Sequence, residues 1–270
     1  MRTLFVSDLD GTLLTPEQVV SDYSAEVINR LQERGMLFSY ATARSVYTGS
    51  VVTKNIDFAC PIIAHNGTFI MRNDTFELVR GNFFTDEECG RIIRELDRLE
   101  VSHIAYSLID GKERFSYLES NVSPQLRDFL NKRMNDVRRR AVDKREDLYC
   151  GQLYYFNCID TPDKALELYE LFREDFNCVC APEVYSGDIW LEIMPKTASK
   201  ASAVLQLKEI VGADRVVVFG DGMNDMPMFE VADECYAVGN AVEELKAAAT
   251  GIIGCNTEDG VAKWLEENFR

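Results

Sequence analysis

Histidine and tryptophan are scarce in this chain, with two of each among 270 residues. His65 and His103 are far apart in sequence, so no histidine-rich metal centre is available. Eight cysteines are present, but no Cys-x-x-Cys pair occurs among them. The only close pair, Cys178 and Cys180, lies in a strand-like segment whose alternation places both on one buried face, so they read as core residues. No apolar run approaches the roughly 20 residues that span a bilayer. The chain opens on a strand-like segment ending in Asp8 instead of a basic stretch followed by a long apolar one, which predicts a cytoplasmic, reduced protein. Basic residues are also in deficit, 29 against 45 acidic, and the resulting net charge of −16 argues against a nucleic-acid partner. The one basic run, Arg138-Arg139-Arg140 with Lys144-Arg145, is interleaved with Asp136, Asp143, Glu146 and Asp147 and reads as a solvated helix face or loop.

What is present is an alternation of two periods. Strand-like segments at 3–7, 36–41 and 61–64 alternate with helical spacing at 24–34 and 45–53. From about residue 82 the texture changes, to helices at 85–99, 123–134 and 162–175, a hairpin at Asp110-Gly111, and strands at 152–158, 178–181 and 189–193. After Pro195 the alternating pattern returns, with helices at 200–211 and 226–232 around a strand at 215–219. Such alternation implies parallel strands with helical crossovers, whose ligands gather at the carboxyl ends of the strands. The expected architecture is an α/β, Rossmann-like parallel-sheet core domain (1–82 and 191–270) with an inserted α+β cap domain (83–190).

Two apolar segments run into acids beside glycine. In Phe5-Val6-Ser7-Asp8-Leu9-Asp10-Gly11-Thr12 an extended chain projects Asp8 and Asp10 to one side, just where Gly11 lets the backbone turn away. Like charges brought together need compensation, which a hard divalent cation such as Mg2+ provides. An Asp-rich turn is the alternative reading of the same octet. The second segment, Val216-Val217-Val218-Phe219-Gly220-Asp221-Gly222-Met223-Asn224-Asp225, adds Asp221 and Asp225, and alone it also reads as a turn followed by a helix cap. Between them lie Thr42, at another strand end, and Lys200, at a helix start.

In that order the four segments resemble the motifs of the haloacid dehalogenase superfamily, and within it the Cof-type sugar-phosphatase-like branch. Asp8-Leu9-Asp10-Gly11-Thr12, Thr42, Lys200 and Gly220-Asp221-Gly222-Met223-Asn224-Asp225 match in order, with His65-Asn66-Gly67 similar to the branch's Asn-Gly. The branch carries Thr-Gly-Arg where this chain has Thr42-Ala43-Arg44, and alanine is strained there if positive φ is required.

The resemblance implies a Mg2+-dependent phosphatase acting on a small phosphorylated metabolite such as a sugar phosphate, with no membrane or nucleic-acid partner. It makes Asp8 the nucleophile that forms an aspartyl-phosphate, and Asp10 the acid and base. Asp8, Asp221 and the backbone carbonyl of Asp10 would hold the metal, with Asp225 supporting them or serving as a helix cap. Thr42, the Ala43 amide, Lys200 and Asn224 would hold the phosphate, Asn224 alternatively orienting Lys200. Rival readings are a phosphomutase or phosphotransferase sharing the intermediate, and a non-catalytic binder of phosphorylated metabolites. Tyr185-Ser186-Gly187-Asp188 is expected to be a substrate-facing loop or a plain hairpin turn.

Overall fold

The computed structural model describes residues 1–182 and 189–270. They form two compact units, one of residues 1–81 with 198–270 and the other of 82–197.

In the first unit Thr3–Ser7 lies between Arg215–Gly220 and Leu37–Tyr40, and the sheet continues from Arg215–Gly220 through Glu234–Ala237 to Gly251–Ile252. All four pairings are parallel. Leu4, Val6, Phe38, Val218 and Phe219 have no exposed surface. A sheet covered on both faces is built from unbroken apolar runs, and this is why Val216-Val217-Val218-Phe219 carries no polar alternation. On one face Trp264 of the helix Gly260–Asn268 packs against Phe219 and Tyr236, with ring centroids 5.2 and 4.4 Å apart. Ile62–Ala64, read as a strand of the parallel set, meets it only through a parallel Ala41–Ile63 bridge and pairs antiparallel with Phe69–Met71, which pairs in turn with Leu78–Gly81; of these last two strands the pattern carries no sign.

The second unit is built on a six-stranded sheet in the order Asn177–Pro182, Ile189–Met194, Gln152–Cys158, His103–Ile109, Lys112–Leu118, Arg139–Val142. Its pairings are antiparallel except the last. Ile92, Leu96, Phe156, Leu168, Phe172 and Leu191 belong to a core of its own. Thr85 and Glu88 form a capping box that starts the helix Asp86–Arg98.

Three expectations are corrected here. A division after residue 190 would cut the strand Ile189–Met194, whose pairing with both neighbours keeps it in the second unit, which runs to Thr197. The basic run is not a solvated helix face, because Arg139–Val142 is a strand and Arg138 is buried, 2.7 Å from both Glu113 and Asp136. Cys178 and Cys180 are half-buried on an edge strand, packed against the second unit's core. Among the described residues no helix is long and apolar enough to cross a membrane.

Candidate active site

Asp8, Thr42 and Asp221 each follow a strand of the parallel sheet at its carboxyl end, and Asn66 follows Ile62–Ala64. The position where such sheets gather ligands is therefore lined by acids and a hydroxyl. Lys200 reaches the same place as the first residue of the helix Lys200–Val211, which Ser199 caps by accepting the Ser202 N–H at 3.1 Å. A cation at a helix N-terminus opposes the macrodipole, so this position is unfavourable unless anions compensate. Two do: Lys200 Nζ lies 2.5 Å from Asp8 Oδ1 and 2.6 Å from Asp225 Oδ1, and all three side chains are at least 95% buried.

Two glycines permit this packing. Gly11, at φ +80°, passes so close to Asp221 that a Cβ would collide with its carboxylate. Gly67, at φ +96°, lies against the Ser199–Lys200 backbone, where a Cβ would meet the Ser199 carbonyl. The second contact gives the His65-Asn66-Gly67 turn a direct part in placing Lys200.

Hydrogen bonds fix the remaining acids. Asp225 Oδ2 accepts the backbone N–H groups of Asp221 and Gly222 at 3.0 and 3.1 Å, so both of its oxygens are engaged. Asp221 Oδ1 accepts the Thr12 hydroxyl at 3.0 Å. Burial above all, then the charge of Asp225, pushes the Asp8 carboxyl above its usual range against the pull of Lys200. Asp221 is pushed up to about 6, again by burial first and Asp225 second. Burial alone would lower Lys200, but the Asp8 and Asp225 carboxylates more than offset it and hold the ammonium above its ordinary value.

Asp10 is different. Its side chain, 50% exposed, turns to Arg44, whose Nε and Nη2 reach its two oxygens at 2.7 and 2.5 Å. Thr42 is buried, and its hydroxyl oxygen accepts the Arg44 N–H at 3.1 Å, leaving the O–H as a donor. Ala43 is exposed and does not adopt positive φ, so the strain anticipated from losing the branch's glycine does not arise. Asn224 is exposed on the short turn Met223–Asp225, and among the described residues it makes no hydrogen bond to Lys200.

Asp8, Asp221 and Asp225 bring carboxylate oxygens within 4.8 Å of one another, a group that can hold a metal ion. It is oxygen-only, which suits a hard divalent cation. Four carboxylates (Asp8, Asp10, Asp221, Asp225) stand against two cations, Lys200 and Arg44, so a divalent ion would neutralise the surplus. Asp225 is the least available of the three, its oxygens being committed to Lys200 and two amides.

Residues 5–265 match the haloacid dehalogenase-like hydrolase family. The chain belongs to that family. Among relatives of this haloacid dehalogenase-like hydrolase, two Bacillus subtilis proteins are each named as a 5-amino-6-(5-phospho-D-ribitylamino)uracil phosphatase. One is 28% identical, with 96% of both chains covered, and the other 26% identical, with 98% of this chain and 97% of that one covered. A crystal structure of a Thermotoga maritima protein superposes with a TM-score of 0.80 at 27% identity, covering 100% of this chain and 98% of that one.

Sequence reasoning passed over three contributors in this hydrolase. Thr12 orients Asp221, Arg44 holds Asp10, and Asn240 Nδ2 donates to the Gly11 carbonyl at 2.7 Å. Thr12 and Arg44 stand inside the Asp8–Thr12 and Thr42–Arg44 motifs, whose spacing is a signal for them, whereas Asn240 has no local signal. The expected substrate-facing loop, Tyr185 to Asp188, lies outside the described residues.

Proposed function

We propose that this hydrolase is a Mg2+-dependent phosphatase that cleaves a small phosphorylated metabolite through an aspartyl-phosphate on Asp8. The observation that carries the reading is the buried contact of Lys200 with Asp8, beside the Asp221 carboxylate. Lys200 holds one Asp8 oxygen, leaving the other to attack phosphorus in line with the leaving oxygen. Asp8 and Asp221, with the backbone carbonyl of Asp10, are the groups to hold Mg2+, which when bound supplies charge neutralisation to the transferring phosphoryl group. Thr42 donates its hydroxyl to a phosphoryl oxygen and Lys200 supplies positive charge, both fixed before the reaction. The Ala43 amide and Asn224 complete that cradle, Asp225 holding Lys200 in place from behind. Asp10, on the exposed side, enters the cycle protonated, gives that proton to the leaving oxygen, and as the resulting carboxylate takes one from the water that attacks the intermediate.

The inserted unit, 82–197, is proposed to choose among substrates, since contacts to the non-reacting part of a substrate set selectivity. The phosphate ester named in the two Bacillus relatives is the first compound to try, alongside sugar phosphates. The purified protein with Mg2+ is to be assayed both for free phosphate and for phosphoryl transfer to an added sugar. Release of phosphate from at least one small ester, without transfer, is expected. Stoichiometric transfer to the acceptor would make the protein a phosphotransferase, and binding without turnover of any ester would make it a binder.

A further inference from the structure

Asp10 is the most exposed of the site's four acids. Its side chain is 50% exposed, and the described hydrogen bonds of its carboxylate come from Arg44 alone. Arg44 is by contrast well anchored. Its amide donates to Thr42 Oγ1 at 3.1 Å, its carbonyl accepts the His65 N–H at 2.9 Å, and its neighbour Ser45 caps the helix Val46–Val52. The Arg44 side chain is 20% exposed, and Nη2 makes a further bond to Gln18 Oε1 at 3.2 Å. A well-held donor thus grips a half-exposed acceptor. The grip is two-pronged, and a guanidinium fork fixes the plane of a carboxylate where a single bond would leave it to swing.

We infer that Arg44 is the positioning residue for Asp10, fixing the direction in which its carboxyl group meets the leaving oxygen and the attacking water. This rests on the reading of Asp10 as acid and base. The reacting groups of a proton transfer must lie within hydrogen-bond reach, and misplacement by an ångström costs on the order of 100-fold. Lysine cannot substitute, because an ammonium is a point charge without the planar fork. The role also accounts for the pairing of the two motifs: Asp10 and Arg44 follow adjacent parallel strands, Thr3–Ser7 and Leu37–Tyr40, so the sheet itself sets the distance between them.

The test is a double-mutant cycle in the full-length protein, with kcat and KM measured for Arg44→Gln, Arg44→Lys, Asp10→Asn and Asp10→Asn/Arg44→Gln. Both Arg44 variants are expected to lower kcat and kcat/KM together, by about 10- to 100-fold, with KM within about 3-fold of the parent. The double variant is expected to be no slower than Asp10→Asn, since Arg44 then has nothing left to position. Thermal unfolding of each variant, expected near the parent's for a partly exposed pair, separates this from misfolding. Full rescue by Arg44→Lys, a raised KM at unchanged kcat, or independent losses in the double variant would each overturn the positioning role while leaving Asp10's own role intact. Parent-like turnover of Asp10→Asn would instead remove the acid–base reading, and the inference with it.

Discussion

Lys200 Nζ and Asp8 Oδ1 lie 2.5 Å apart with both side chains almost wholly buried, although the two residues are 192 positions apart in the chain. A second carboxylate, Asp225, meets the same ammonium at 2.6 Å. The lysine is therefore the counter-ion of two buried anions, and removing it leaves both uncompensated. Lys200→Met is expected to abolish turnover and to cost about 3–5 kcal/mol of stability at neutral pH. Asp8 already sits above the usual carboxylate range. In the variant its folded-state value rises further, so the charged form destabilises the fold at pH above the unfolded value and protonation relieves it as pH falls. Urea unfolding at pH 7.5 and pH 5 will check this, with a smaller deficit expected at pH 5. An equal deficit at both would show that lost packing, not buried charge, is the cause.

Metal binding carries its own pH dependence. Activity is expected to vanish with chelator and return with Mg2+, while Ca2+ inhibits because its larger and more flexible shell suits the site poorly. Asp221 is pushed up to about 6, so below that pH it increasingly holds a proton that the metal must displace. Calorimetric titration with Mg2+ is expected to give weaker binding at pH 5 than at pH 7.5. Affinity that did not change between them would exclude Asp221 as a ligand.

His103 is expected to contribute to the acid stability of the second unit. Its Nδ1–H donates to the Val101 carbonyl at 2.8 Å and its Nε2 accepts the Tyr149 hydroxyl at 3.1 Å. Burial depresses it to about 4, against the opposing pull of the Val101 carbonyl. The ring is neutral in the folded state but gains a proton near pH 6.5 once unfolded. Its contribution is thus fully present above about pH 6.5 and is lost as pH falls toward about 4, by roughly 3 kcal/mol in all. His103→Gln is expected to flatten the fall in stability across that window. Parallel curves for parent and variant would contradict this.

How far the chain was readable follows from where each signal is stored. Gln152–Cys158 and Lys200–Val211 match the ranges read from pattern, because apolar spacing and flanking caps are local. The parallel pairing of the first unit's main sheet is implied by alternation, whereas its strand order is not. The strand Arg139–Val142 is not implied either, because the charged residues in and beside it find partners from tertiary packing: Arg138 meets Glu113 from a neighbouring strand, and Arg140 donates to the Asp147 carbonyl. The same holds in the site. Motif spacing singles out Asp8, Thr42, Lys200 and Asp221 as candidates, yet it is silent on Asp10 turning to Arg44 and on Asp225 bonding Lys200. Those pairings depend on which strands become neighbours, and no window of sequence contains both partners.

The central claim is that Asp8 itself carries the phosphoryl group during turnover. The most direct measurement is acid quenching of the enzyme in steady state with a hydrolysable phosphate ester and Mg2+, followed by peptide mapping by mass spectrometry. The account predicts one added phosphoryl group on the peptide containing Asp8, absent without substrate and absent in Asp8→Asn, whose turnover falls by several orders of magnitude. An unmodified Asp8 peptide together with parent-like turnover of Asp8→Asn would contradict it.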